Sequence, residues 1–306
     1  MKGFNYLFVF LISTGFFFSC SSEEKKVEEK EETAVLGNDA LIGTWRLIKY
    51  INHADGQADW SQYEDNVMYE KYITPTHFTW VRYEKDKDKL VGIGGGTYSF
   101  DGKTYTENIK FFLPTGSNEL GQAIPFSVDM DENGQWHHTG FAKVMEFDPE
   151  VGETKVIDST KIEEMWVKVS QDKSANIEIQ GTWELASYKG ANDSAWNEYP
   201  KFVKYIKLIT PSHFTWVKYN GEGDEVMAAG AGTYTLADDQ YTENIQMVYP
   251  AGSKQVGTVL PFDFNVENNQ WTHAGFIKKV DSSESGGLVP IDSTFISEIW
   301  EKYDDD

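Results

Sequence analysis

Ile73 to Tyr83 reads ITPTHFTWVRY and Ile209 to Tyr219 reads ITPSHFTWVKY, so nine of eleven positions are identical. The rest of the chain follows the same doubling. Tyr105 to Ile109 (YTENI) recurs whole at Tyr241 to Ile245, and Gly43-Thr44-Trp45 recurs as Gly181-Thr182-Trp183. Gln135-Trp136-His137-His138 matches Gln270-Trp271-Thr272-His273, and Asp158-Ser159-Thr160 matches Asp292-Ser293-Thr294. The offset drifts only from 138 residues at Gly43 to 134 at Asp158. A solenoid unit repeats every 20–50 residues or so, so a period this long marks two copies of one complete domain, each with its own core. The expected boundaries are 39–169 and 179–306, with the polar stretch around Ser170 to Asn176 as linker (170–178).

Each copy reads as short strands. In copy one they are expected near 43–51, 67–74, 76–84, 91–100, 103–112, 122–130, 134–146 and 160–169. Thr74-Pro75, Asp101-Gly102, Pro114 with Gly116, and Asn133-Gly134 separate them. A short helix is expected over 59–66. No long segment has the 3.6-residue period of a helix, so the fold class is all-β, a sandwich or an up-and-down barrel. Gly94-Gly95-Gly96 is not a phosphate loop, because no helix follows it and copy two reads Gly230-Ala231-Gly232. Glycines inside a strand mark a bulge or the close passage of a neighbour.

Gly-x-Trp opening the first of eight strands resembles the lipocalins. The ordered set GTW-x-L, ITP-x-HFTW, a glycine-rich strand ending GTY, YTE and a final E-x-W is similar to lipocalin-like domains of secreted and lipid-anchored Bacteroidetes proteins. It occurs here as Gly43 to Leu47, Ile73 to Trp80, Gly94 to Tyr98, Tyr105 to Glu107 and Glu164 to Trp166. Copy two repeats it from Gly181 to Trp300. The resemblance implies two tandem eight-stranded antiparallel barrels of calycin type. It also implies that Trp45 and Trp183 plug the closed ends, with Lys168 and Lys302 packed over them. It implies no reaction.

Strand parity nominates a cavity, since residues two apart share a face. Tyr105, Glu107, Ile109 and Phe111 share one face, as do Tyr241, Glu243, Ile245 and Met247. Trp136 with His138, Glu164 with Trp166, Trp271 with His273, and Glu298 with Trp300 form further inward sets, and Trp80 and Trp216 join them as candidates. A buried carboxylate must find donors or take up a proton. Three readings compete: a structural role in which tryptophan, tyrosine or threonine donors hold the glutamates, recognition of a small hydrophobic or amphipathic ligand, and chemistry or metal binding. His77 is expected to cap its turn or sit at a rim. His53 and His137 have no counterpart in copy two and are set aside.

The N-terminus reads as an address. Lys2 precedes a mostly apolar run from Phe4 to Phe18, ending at Ser19-Cys20. Residues 1–19 have the form of a secretory signal, too short to span a membrane. Phe17-Phe18-Ser19-Cys20 resembles a bacterial lipobox with Cys20, the chain's one cysteine, as the lipidation site. Residues 20–38 form an acidic tether, and Ser21-Ser22-Glu23-Glu24 resembles a surface-export signal of Bacteroidetes lipoproteins. The expected location is the cell envelope, on the outer membrane and at the cell surface, with the membrane reached through the lipid. With 27 Lys+Arg against 49 Asp+Glu the net charge is −22, which repels a phosphate backbone and excludes nucleic acid as a partner.

No hydrolase elbow, zinc-protease helix or regular calcium loop is present, and no cofactor or metal is expected. The leading expectation is a non-enzymatic, lipid-anchored binding protein. A structural or interaction module with filled barrels comes second, presenting Trp60, Tyr63, Trp196 and Tyr199 to an unidentified protein partner. An enzyme using Glu107 and His138 comes third.

Overall fold

The computed structural model describes residues 36–149, 152–169, 178–237, 239–282 and 288–303. The expected signal segment, Cys20, and most of the expected tether and linker lie outside them. Both sequence copies belong to one compact unit, Val35–Asp306.

Copy one is a closed barrel in which each strand pairs with the next and the last returns to the first. Its strands are β1 (Gly43–Asn52), β2 (Val67–Ile73), β3 (His77–Glu84), β4 (Lys89–Phe100), β5 (Thr104–Leu113), β6 (Ala123–Met130), β7 (Trp136–Asp148) and β8 (Glu153–Lys168). Copy two repeats the meander with β9 (Gly181–Gly190), β11 (Val203–Ile209), β12 (His213–Asn220), β13 (Val226–Ala237), β14 (Gln240–Tyr249), β15 (Val259–Glu267), β16 (Gln270–Ser282) and β17 (Leu288–Lys302). Its first and last strands pair antiparallel, which closes the second barrel, and a two-residue strand β10 (Asn197–Glu198) lies on the outer edge of β9. The all-β, tandem eight-stranded expectation therefore holds. Closure gives every wall strand of both barrels a hydrogen-bonded neighbour on each side.

The helix expected over 59–66 does not form. Ser61 instead exchanges backbone hydrogen bonds with Tyr50, at 3.0 and 2.8 Å, and Tyr63 stacks on the Tyr50 ring. Tethering to β1 by both backbone and ring leaves this segment no freedom to coil. A single 3-10 turn, His53–Asp55, precedes it.

Each barrel has an interior cluster, and a third cluster joins the barrels. Met68, Tyr72, Val81, Tyr83, Ile93 and Phe111 of barrel 1 pack with Ile206, Leu208, Val217, Tyr219, Ala229 and Met247 of barrel 2. These residues come from the outer faces of β2–β5 and β11–β14. Much of β2–β4 and β11–β13 is therefore buried on both sides, whereas β6 alternates buried and exposed positions. The threonines show the symmetry of the contact. Thr44 and Thr210 hydroxyls lie 2.7 Å apart, and Thr74 and Thr182 hydroxyls also 2.7 Å apart. Thr44 corresponds to Thr182 and Thr74 to Thr210, so one pair is the other with the copies exchanged, as in a two-fold interface.

Phe111 and Met247 stand in this shared core, not on the inward face with Glu107 and Glu243. Gly95 pairs with Phe111 but Gly96 pairs with Ile109, so Lys110 is an extra residue in β5. A bulge of this kind reverses the parity beyond it, and Phe112 turns inward in place of Phe111. Copy two has the same bulge between Ala231 and Gly232. The glycines explain why it sits there: a Cβ on Gly96 would meet the Asn108 carbonyl oxygen at 2.0 Å, and one on Gly232 the Asn244 oxygen at 2.0 Å.

Candidate ligand-binding site

The inward faces converge on a buried ammonium. Lys71 on β2 lies two residues from Tyr69 and Ile73 and shares their inward face. Its Nζ donates to Glu107 Oε1 at 2.7 Å, and both side chains are almost fully buried. Four rings surround the same Nζ: Trp166 at 4.8 Å, Trp136 at 5.3 Å, Tyr105 at 5.6 Å and Phe126 at 5.8 Å to their centres. Barrel 2 rebuilds the arrangement. Lys207 Nζ lies 2.8 Å from Glu243 Oε1, with Trp271 at 5.0 Å, Trp300 at 5.1 Å, Tyr241 at 5.7 Å and Phe214 at 5.9 Å. A charge out of water needs a counter-ion and hydrogen bonds. The glutamate supplies the first, and the ring faces add an attraction of about 2 kcal/mol where desolvation is complete.

Beside each ion pair lies a second polar pair. His138 Nδ1 is 3.1 Å from Glu164 Oε2, and Trp166 Nε1 donates to the same oxygen at 3.0 Å. In barrel 2, His273 Nδ1 lies 3.1 Å from Glu298 Oε2, and Trp300 Nε1 donates to it at 3.0 Å. Phe126 stacks on the His138 ring at 3.8 Å, and Phe262 lies 3.9 Å from the His273 ring. Burial, aided by the charge of Lys71, holds the His138 imidazole well below its ordinary pKa, so it is neutral at pH 7. Burial and Lys207 lower His273 likewise. Burial lifts Glu164 above the usual carboxylate range against the pull of Lys71 and Trp166. Burial also pushes Glu298 upward, but the hydrogen bond from His273, with the charge of Lys207 and the Trp300 hydrogen bond, outweighs it and holds that carboxyl low. The ring nitrogens facing away from these pairs, His138 Nε2 and His273 Nε2, are buried without a hydrogen-bond partner, as are Trp136 Nε1 and Trp271 Nε1.

In barrel 1 these groups border a cavity of about 170 Å³ lined by Tyr69, Lys71, Trp80, Glu107, Ile109, Phe112, Glu119, Ile124, Phe126, His138, Ile162, Glu164 and Trp166. Trp80 reaches the wall because β4 has glycines beneath it. A Cβ on Gly94 would stand 2.8 Å from the Trp80 ring, and one on Gly230 2.4 Å from the Trp216 ring. In barrel 2 a wider recess of about 450 Å³ opens at the barrel mouth, bordered by Leu185, Tyr188, Tyr199, Tyr205, Phe295, Ile296 and Glu298. An open and mostly polar groove of about 960 Å³ lies outside barrel 2 between Glu184, Lys204 and Tyr303. It lacks the convergent buried groups of a small-molecule site.

The candidate residues divide by location. Tyr105, Glu107, Trp136, His138, Glu164 and Trp166 come together, with Trp80 on the cavity wall. Tyr241, Glu243, Trp271, His273, Glu298 and Trp300 do the same in barrel 2, with the Trp216 ring 5.6 Å from Tyr205. Trp45 and Trp183 stand next to the cluster, opposite Lys71 and Lys207 on the strand ladders, with their rings 5.3 Å from Trp136 and 5.6 Å from Trp271. Their ring nitrogens donate to the Leu41 and Ile179 carbonyls, and Lys168 and Lys302 stand 5.2 and 5.3 Å from the ring centres. His77 caps its turn through Thr74 and Thr76, but it faces barrel 2, not a rim, with its ring 4.5 Å from Tyr303.

Lys71 and Lys207 were not among the candidates. Their signal is in the repeat: YEKYITP and YIKLITP keep the lysine at inward parity in both copies. His53 and His137, set aside for lack of a counterpart, meet at Glu163 at 3.0 and 3.3 Å on the outside of barrel 1. Trp60 packs edge-on against His137 at 5.5 Å. Among the described residues no group of three or more His, Cys, Asp or Glu is placed to hold a metal ion. Among them, too, no helix is long and apolar enough to cross a membrane.

No family model matches the chain, and a comparison with curated proteins finds no match. Among solved structures, the chain is similar to an uncharacterised protein of Saccharomyces cerevisiae at 10% identity and a TM-score of 0.45, covering 85% of this chain and 97% of that one. It is also similar to a double mutant of the vaccine antigen Transferrin Binding Protein B from Haemophilus parasuis at 8% identity and a TM-score of 0.24. That match covers 80% of this chain and 63% of the antigen chain. Both scores are low, and the two-barrel architecture stands on the strand pairing alone.

Proposed function

We propose that the protein is a non-enzymatic binding protein of the cell envelope, anchored by lipid on Cys20, that takes a small hydrophobic or amphipathic ligand inside its barrels. The observation that carries the binding reading is the barrel 1 cavity, whose aromatic walls enclose a few converging polar groups. A cavity near 150 Å³ lined by apolar side chains holds a molecule the size of benzene, so barrel 1 has room for about one ring. The duplicated polar cluster supports the same reading, because apolar side chains of similar volume would hold a barrel together at least as well as buried ion pairs do.

The test is equilibrium titration of the full-length protein with small aromatic probes, followed by tryptophan emission. Saturable quenching with one site in barrel 1 is expected, and the absence of any saturable change refutes the reading. The anchor is tested separately. Radiolabelled fatty acid should enter the wild-type chain but not Cys20→Ser, and that variant should leave the membrane fraction. Equal labelling of both would remove Cys20 from the proposal.

The exposed Trp60 and Trp196 favour a second reading, a protein-docking module. Recovery of the same envelope proteins by wild type and by the Trp60→Ala, Trp196→Ala double variant would count against it.

A further inference from the structure

The polar groups bordering the barrel 1 cavity restrict what can enter it. The Lys71 ammonium already occupies the ring faces that would attract an organic cation, and Glu107 is its counter-ion at 2.7 Å. Glu164 is engaged by His138 and Trp166. A carboxylate ligand would enter beside Glu107 and Glu164, and an ammonium ligand beside Lys71. Either would lose its hydration and meet a like charge, and the opposite charge it could reach, on Lys71 or Glu107, is already half of an ion pair. Among the buried side-chain atoms of the lining, His138 Nε2 is the one with no hydrogen-bond partner, on a side chain that is 1% exposed.

Nδ1 already faces Glu164, so Nε2 either donates or accepts according to the tautomer. A hydroxyl group can do both and therefore answers either form. With Trp80, Phe112, Phe126 and Trp166 as walls and about 170 Å³ of space, the rest of the ligand is apolar and of single-ring size.

We propose that barrel 1 selects an uncharged, single-ring-sized molecule bearing one hydroxyl group, which His138 Nε2 reads by a hydrogen bond. The inference rests on the binding reading above and names its ligand class. A buried donor or acceptor left unpaired is costly, so a ligand that satisfies it is favoured over an isostere that does not.

The test uses four probes of one size on the unaltered full chain at pH 7: phenol, benzene, benzoate and benzylammonium. Tryptophan emission gives affinity, and imidazole nitrogen NMR gives location, because His138 and His273 report on different barrels. Phenol should move the His138 signals and bind up to about tenfold tighter than benzene, the ratio one net hydrogen bond supplies. His138→Phe should bring the ratio to about one. Benzoate or benzylammonium binding tighter than phenol, or phenol and benzene binding equally, overturns the assignment while leaving barrel 1 a binding site. If none of the four binds, the binding reading itself is refuted. The probe ranking on unaltered protein decides the matter even where His138→Phe folds poorly.

Discussion

Acid should loosen the contact between the barrels through His77. Its side chain is buried against Tyr303, with Nδ1 on the Thr76 hydroxyl at 2.7 Å, and burial alone lowers its pKa from 6.5 to about 4. The sign follows directly. The unfolded chain takes up a proton on this residue below about pH 6.5, whereas the folded chain resists until about pH 4. Stability is therefore full above 6.5, falls as pH drops through that window, and levels off below 4. At 1.36 kcal/mol per unit the whole effect is about 3 kcal/mol, of which about 2 kcal/mol is lost between pH 7 and pH 5. Other histidines and the relief of acidic self-repulsion also respond to pH, so the comparison must be with His77→Asn, which keeps a polar group for Thr76 but does not titrate. Those background effects are common to both proteins and cancel if the sites are independent. Urea unfolding followed by tryptophan emission at pH 7.5 and pH 5.0 gives the two free-energy gaps. Wild type should exceed the variant at pH 7.5, and the difference should shrink by about 2 kcal/mol at pH 5.0. A gap constant to within about 0.5 kcal/mol would show that the histidine charges in the folded state as freely as in the unfolded one.

Lys71→Met strands Glu107 in the barrel interior and should cost about 3–5 kcal/mol in denaturant unfolding, whereas Lys71→Met with Glu107→Leu should recover most of that loss. Phe111→Ala should cost about 3–5 kcal/mol and lower hydrogen-exchange protection in β11–β14 as well as in its own barrel; protection lost in barrel 1 alone would deny a shared core. Gly94→Ala forces the Trp80 ring to shift and should cost about 1–3 kcal/mol with a change in tryptophan emission, while Gly37→Ala, where a Cβ meets nothing, should leave the emission unaltered. Lys168→Met removes the cation over Trp45 and should lower stability by about 0.5–1 kcal/mol, seen as a shift in the urea midpoint.

The fold was legible because each copy corroborated the other. Turn residues punctuated the strands, and Gly-x-Trp with the E-x-W ending marked where the barrel opens and closes. What escaped the reading has two physical causes. Parity counting assumes an unbroken ladder, and the bulge at Lys110 breaks it, which sent Phe111 to the wrong face. The second cause is burial on both sides. In Val67 to Ile73 the residues from Met68 onward are buried or nearly so, whichever way they point. That removes the alternation that would have announced Lys71 as an inward lysine. The contact with the other barrel therefore hid both itself and the central charge of the site. His53 and His137 were lost for a different reason: agreement between the copies was the filter, and these residues build a contact with Glu163 that only barrel 1 has.

The shared core also bears on why the interiors can be polar. A buried Lys–Glu pair with a His–Glu pair beside it is a poor way to stabilise a small barrel, since apolar replacements of equal volume are often neutral or better. A barrel of about 130 residues standing alone would have little stability to spare for such groups. Here Phe111, Tyr83, Met247, Tyr219 and their neighbours add a core that neither barrel has alone, and each fully buried side chain of that size contributes about 1.5–3 kcal/mol. The outer faces of β2–β5 and β11–β14 thus offset the cost of their own inner faces. Groups that lower stability and yet recur in both copies point to a use other than holding the fold, and the cavity beside them in barrel 1 is where that use would lie. Lys71→Met with Glu107→Leu separates the two roles. If the cluster serves binding, the pair of changes should leave the unfolding free energy near wild type or above it while altering what the cavity accepts. If it serves only to fix strand register, stability should fall and the backbone amides of β2 and β5 should exchange faster.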